Sequence, residues 1–171
     1  MEYYLIMADT DMPIAESTFD IWDMKRDRTH KFPERELLFF HGNSDTTFID
    51  ILFQPFLLVS EKIQRVIASY EPDTVFKEIV LMDTFNELAE VYFSPALHEV
   101  DCLTEQNKYN QDRSEIKKAI IDVSKIGDKK VFSLAGVQGF HVVGRRDFIE
   151  SVLRRNIRGL MILPIETVNE G

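Results

Sequence analysis

At 171 residues, with 44% hydrophobic and 29% charged side chains, the chain has the balance of one globular domain, and at this length folding buries roughly 70% of the unfolded surface, enough for a core without metal or disulfide. A formal net charge of −9 excludes the usual nucleic-acid binder, because phosphate backbones are bound by lysine and arginine that displace counterions, and it favours a cationic partner. The single cysteine, Cys102, excludes an internal disulfide and the clustered thiolates of a zinc ribbon or iron–sulfur site, which fits a reducing cytoplasm.

The N-terminal stretch "MEYYLIMADTDMPIAESTFDIWDM" sets Glu2 and Asp9 where a secretory signal carries lysine or arginine, and its apolar run Tyr3 to Ala8 is short for an h-region. No stretch approaches the roughly 20 apolar residues that span a bilayer. The expectation is a soluble, cytoplasmic protein with no membrane partner. "YYLIM" from Tyr3 to Met7 predicts an opening strand. From Asp9 to Phe32 the apolar residues Ile14, Phe19, Ile21 and Trp22 keep no clean period, predicting a loop that packs its aromatic residues on the body, with one helical turn. "ELLFFHG" and "TTFIDILF" predict two strands joined by the turn Gly42 to Asp45, with Ile49, Ile51 and Phe53 on the inner face and Phe48, Asp50 and Leu52 on the other.

Phe56 to Val59 predicts a short strand, and Ser60 caps a helix whose inner face is Ile63, Val66, Ile67 and Tyr70. Pro72 ends that helix, and Val75 to Leu81 returns as a strand. The middle is β-rich: Glu90 to Leu103 and Ile116 to Leu134 alternate well enough for strands, while the polar Thr104 to Glu115 predicts an exposed loop. Phe140 to Val143 then leads through Gly144 into a helix carrying Phe148, Ile149, Val152 and Leu153 inward, with Arg145, Arg146, Arg154 and Arg155 on its exposed sides. Asp147 and Glu150 have capping-box spacing, with a start at Gly144 as an equal alternative. Gly159 supplies the positive φ of a helix end, and Leu160 to Ile165 returns as a strand. Phe56 to Leu81 and Phe140 to Ile165 are equally long, reading as a strand–helix–strand unit used twice; with strands outnumbering helices and the helices confined to these two units, the chain reads as α+β with a mixed, largely antiparallel sheet.

A catalytic constellation does not emerge from the sequence. His30, His41, His98 and His141 are not at metal-ligand spacing. Ser60 follows a strand and opens a helix, but "LLVSEKI" lacks the glycines of a nucleophile elbow. "GDKK" at Gly127 to Lys130 is a turn rather than a phosphate cradle, and Cys102 beside Asp101 reads as an inert thiol. Pairs such as Asp45 with Asp50 or Glu87 with Glu90 are carboxylates in an acid-rich chain whose separation the sequence does not give.

The order "FLLVSEKIQRVI", "VYFSPALHEVDCLTEQNKY", "AIIDVSKIGDKKVFSLAG" and "HVVGRRDFIESVLRRNIRGLMILPI" resembles a bacterial family once catalogued as a domain of unknown function and later assigned to immunity proteins of polymorphic toxin systems. The resemblance runs from about Phe56 to Ile165. It is carried by Val59, Ser60 and Glu61; Tyr92, Val100 and Asp101; Ser124, Lys125, Ile126 and Gly127; Phe132; and Gly159 with Leu160. The sequence departs from the family at Gly144 and Arg145, where a second "VSE" helix start is more usual. The resemblance implies a single domain over residues 1–171, with 1–55 outside the matching motifs, that binds and blocks a cognate toxin domain. It implies no catalytic residue, cofactor or metal.

Many toxins of such systems are nucleases with basic channels, against which an acidic inhibitor gains association rate and specificity. Acid is concentrated in two segments, Met1 to Met24 and Glu71 to Glu105, the second holding Lys77 as its one cation. Within the second, Asp83, Glu87, Glu90, Glu99 and Asp101 are the candidate contact residues. Two other readings stand beside this one: a small hydrolase whose carboxylates converge in a pocket, and a subunit that self-assembles through the arginines of the second helix.

Overall fold

The computed structural model describes residues 1–9, 33–53, 56–111 and 116–169. Apart from Asp9, the aromatic loop expected over Asp9 to Phe32 lies outside the described residues. β1 (Tyr3–Ala8), β2 (Arg35–Phe40), β3 (Ile51–Leu52) and β4 (Leu58–Val59) lead into α1 (Glu61–Tyr70). β5 (Phe76–Asp83) and β6 (Leu88–Pro95) form a hairpin. β7 (Glu99–Val100), β8 (Lys108–Tyr109), β9 (Ile116–Lys118), β10 (Ile120–Asp122) and β11 (Val131–Leu134) make up the middle. β12 (Val142–Arg145), α2 (Arg146–Leu153) and β13 (Leu160–Val168) follow.

The described residues form a mostly β structure with two helices. One six-stranded sheet has the order β10–β13–β1–β12–β11–β7, a five-stranded sheet has the order β2–β5–β6–β4–β3, and β8 pairs with β9. Most ladders are antiparallel, while β2 with β5, β7 with β11 and β10 with β13 run parallel. β12 and β13 both flank β1, and β4 and β5 both flank β6.

α1 forms where the 3.6-residue spacing of Ile63, Val66 and Ile67 gives one apolar face, and all three are buried. Pro72 follows its end and cannot extend it. Ser60 occupies the N-cap position with extended φ and ψ, but its hydroxyl makes no cap hydrogen bond. The expected side-chain cap does not form; Ser60 is held by donating its own N–H to the Asp50 carbonyl at 2.8 Å.

α2 starts at Arg146, so Asp147 lies within its first turn and the Asp147–Glu150 capping box does not form. Arg145 forks onto Asp147 at 2.7 and 2.6 Å instead. Phe148, Ile149 and Val152 are buried, whereas Leu153 is 49% exposed, because it lies about 100° round the helix from Val152 and the helix ends there. Gly144 permits this close return: a Cβ there would lie 2.8 Å from side-chain carbons of both Phe148 and Ile149. Gly159 holds φ +80° where the chain leaves the helix for β13, a conformation natural to glycine.

The helices pack on each other, with the Tyr70 hydroxyl donating to the Asp147 carbonyl at 2.9 Å and the Tyr70 and Phe148 rings edge to face at 5.6 Å. Around them Ile6, Val131 and Val142 of one sheet and Ile51 and Val59 of the other join a continuous apolar cluster. The far face of the six-stranded sheet carries a second cluster around Tyr3, Leu5, Phe132 and Leu134. The far face of the five-stranded sheet carries a third, around Leu38, Phe40, Ile79, Leu81 and Tyr92.

Two local expectations change. β2 and β3 are not neighbours but opposite edges of one sheet, because β2 pairs in parallel with β5 through six registered residues, leaving the Gly42 to Asp45 turn to carry the chain away. The polar stretch after Thr104 is not wholly an exposed loop. Lys108 and Tyr109 pair with β9, and Asn107 is buried, accepting the Ile120 N–H at 2.5 Å and donating to the Thr104 carbonyl at 2.5 Å. A polar side chain that replaces backbone partners can sit inside without leaving unpaired groups.

Candidate partner-binding surface

The five acidic candidates occupy different parts of the fold. Asp83 closes β5 and is fully buried, which removes its carboxylate from any contact surface. Its Oδ1 accepts the N–H groups of Gly42 at 2.9 Å, Phe85 at 2.9 Å and Asn86 at 3.3 Å, and its Oδ2 accepts the Asn86 amide at 2.6 Å. Burial alone would raise this carboxyl; the hydrogen bonds outweigh it and hold it below the usual carboxylate range. Asp83 thus ties the turn after β2 to the β5–β6 turn.

Glu87 stands exposed at the tip of that hairpin with φ +55°, a left-handed conformation that glycine or asparagine adopts more readily. Glu90 is exposed on β6. Glu99 and Asp101 are exposed on and just after β7, the edge strand of the other sheet. The hairpin therefore joins Glu87 and Glu90, while Glu99 and Asp101 belong to a separate edge.

The groups considered for chemistry hold structural posts. His41 Nδ1 lies 3.1 Å from Thr84 Oγ1 with its ring edge-on to Phe85, and His141 Nε2 lies 2.8 Å from the Gln138 carbonyl. His30 falls outside the described residues. Among the described residues no three His, Cys, Asp or Glu side chains are grouped to hold a metal ion. Cys102 is buried, and burial pushes its thiol up to about 11, which suppresses the thiolate.

A cleft of about 250 Å³ is lined by Asp50, Ser60, Lys62, Glu90, Tyr92 and Arg158, among others. It brings carboxylates of Asp50 and Glu90 to one opening and is smaller than the roughly 300–1,000 Å³ of ligand sites. Asp50 in it accepts the Arg158 N–H at 2.8 Å and faces Lys62 Nζ at 3.4 Å. Burial drives the Tyr92 phenol well above its ordinary value, and it donates to the Ile49 carbonyl at 2.6 Å. Both groups are committed to joining the segment before β3 to the sheet and to the approach to β13.

The arginines of α2 are also engaged within the chain. Besides the Arg145 fork, Arg146 meets Glu2 at 3.0 Å and Glu150 at 2.9 Å, and Arg155 donates to the Ser151 carbonyl.

A surface that the charge pattern did not single out lies on the five-stranded sheet. Register places Leu37, Val80 and Val91 side by side, and Phe39, Met82 and Ala89 in the next row. Directly paired residues share a face, so these six form an apolar grid across three strands. Leu37 is 43% exposed, Phe39 57% and Val91 41%. Among the described residues, α1 packs on this same face at its β4, Phe76 and Phe93 end. The signal was present in "RELLFF" and "LAEVYF", whose apolar runs ignore the in-and-out alternation of a half-solvated strand.

No helix among the described residues is long and apolar enough to cross a membrane. The family model described as "Immunity protein family (Imm11)" matches residues 2–162 of the chain. No curated protein matches it.

Proposed function

The chain belongs to the Imm11 immunity protein family, and on that footing we propose that it binds a cognate toxin domain and neutralises it by stoichiometric occlusion, without catalysis. Family membership over most of the chain is the observation that carries this reading. The surroundings of Cys102, Asp50 and Tyr92 support it, since the reactive groups are buried or committed to internal hydrogen bonds. The protein acts in the cytoplasm as one domain over residues 1–171, with strand–helix–strand units on either side of the acidic middle. The apolar cluster that draws on both helices and both sheets supports that organisation.

The toxin is a cationic protein, in keeping with a nuclease whose channel holds nucleic acid, and the exposed acids Glu87, Glu90, Glu99 and Asp101 steer its approach. Glu87 is the strongest of these, because a glutamate is kept at φ +55° on an exposed tip where glycine would be less strained. Reversing two charges tests the steering: Glu87→Lys with Glu90→Lys slows association with a cognate toxin domain by about tenfold at low salt, and the deficit narrows as salt is raised. An association rate unaltered at low salt refutes the acidic contribution.

A further inference from the structure

We propose that the tip of the β5–β6 hairpin, residues 85–88, is the element that enters the toxin, seating Phe85 and Leu88 in its substrate cleft and setting the Glu87 carboxylate against lysine or arginine that otherwise holds an anionic substrate. This rests on the toxin-neutralising reading above and adds a mode to it: the protein and the substrate compete for one cleft.

The turn is the narrow end of a hairpin. Among the described residues β6 pairs with β4 at Val59 and Phe93 alone, so from Tyr92 to Leu88 its one strand neighbour is β5. Two strands about 5 Å apart make a tip slim enough for a cleft. Turns are ordinarily built from Gly, Pro, Asn, Asp and Ser. Here Phe85, 52% exposed, and Leu88, 55% exposed, stand on either side of Asn86 and the exposed Glu87.

The tip is braced from beneath. The buried Asp83 accepts the N–H groups of Phe85 and Asn86 and ties them to the Gly42 N–H, where a Cβ would collide with the Asp83 carboxylate. Asn86 Nδ2 donates to the Asn43 carbonyl at 2.9 Å, Thr84 donates its N–H to the Phe40 carbonyl at 2.9 Å, and the His41 ring stands edge-on to Phe85 at 5.5 Å. These contacts leave Phe85 and Glu87 exposed and fix where they stand. They also hold Glu87 at φ +55°, which costs a glutamate conformational energy. A contact group fixed in advance loses less entropy on binding.

Charge selects the cleft. The exposed carboxylates at the tip are Glu87 and, in the turn that Asn86 reaches, Asp45. Residues 36–61 and 78–107 contain no lysine or arginine. Asp83 is buried, and Glu90 shares its cleft with Lys62 and Arg158, so neither adds to the tip. An acid flanked by two apolar side chains is the complement of a basic cleft with an apolar wall.

The test uses the purified protein, a purified cognate toxin domain and that toxin's substrate. With substrate at about ten times its KM, the wild-type protein should need about tenfold more for the same inhibition. Glu87→Asn, which suits a positive φ, should bind about 30-fold more weakly while its Tm stays at or above that of wild type. A purely structural Glu87 predicts unchanged binding instead. Phe85→Ala should lose affinity by a similar factor. The thiol introduced by Phe85→Cys should alkylate readily in the free protein, where Cys102 is buried, and slowly in the complex.

Inhibition indifferent to substrate concentration, or affinities of Glu87→Asn and Phe85→Ala both within about threefold of wild type, overturns the tip and leaves the proposed function standing. Slow alkylation of Phe85→Cys in the free protein means that the chain covers its own tip, and overturns it too. Failure of the wild-type protein to inhibit the toxin domain sinks both.

Discussion

Leu37 and Leu38 are adjacent on β2 and lie on opposite faces, and the fold assigns them very different costs of truncation. Leu38 is 7% exposed and belongs to the closed cluster with Phe40, Ile79, Leu81 and Tyr92. Leu38→Ala removes buried methyl groups and leaves a cavity, a loss of about 3 kcal/mol, in the middle of the range for such sites. Leu37 is 43% exposed, so little more than half of its transfer energy is realised and truncation opens no enclosed space. Full burial of leucine is worth about 1.5–3 kcal/mol, so Leu37→Ala should cost about 1 kcal/mol. For a chain of this size these values translate into falls in Tm of about 9 °C and about 3 °C. Urea unfolding of both variants, with m unchanged from wild type, measures the difference directly. Equal losses would refute the reasoning, because they would mean that the Leu37 face is packed as tightly as the core in the free protein.

Cys102 should resist a thiol reagent in the folded protein and react at once in denaturant. Its raised pKa also sets a sign: the folded state binds the proton more tightly than the unfolded chain, so this contribution is complete below pH 9 and declines as pH rises toward about 11. Cys102→Ser should flatten that part of a stability–pH curve, and an unaltered slope would contradict the assignment. Asp83 works in the opposite sense. Its carboxyl is held below its ordinary value of 3.8, so its stabilisation is present above that pH and lost as acid protonates it. Protection factors of the Gly42, Phe85 and Asn86 amides, taken relative to intrinsic exchange at each pH, should fall on acidification in wild type and be low already in Asp83→Ala at neutral pH. Slow exchange in that variant would remove the clamp.

Local punctuation made the helices legible from sequence. Ser60 before the apolar stripe and Pro72 after it bracket α1 (Glu61–Tyr70), and Gly159 closes the passage into β13. The partnership of β2 with β5 was not legible, because parallel pairing across about forty residues leaves no local signal. The burial of Asn107 was hidden for a related reason: its partners are the backbone groups of Thr104 and Ile120, which composition does not reveal. Charge placement found Glu87 and Glu90 on one hairpin, but it could not separate them from Asp83, whose carboxylate is turned inward by four hydrogen bonds. The apolar grid could have been anticipated from the unalternating runs in β2 and β6. Which face α1 would cover depended on the topology.

Neutralisation by binding is measured most directly by a titration. An isolated cognate toxin domain is held at fixed concentration, well above the dissociation constant, and its activity is followed as the purified protein is added. Occlusion predicts a linear fall that reaches zero at one equivalent and does not deepen with incubation time. A toxin that keeps its activity beyond one equivalent, or one that is progressively inactivated by a small fraction of an equivalent, would contradict the account.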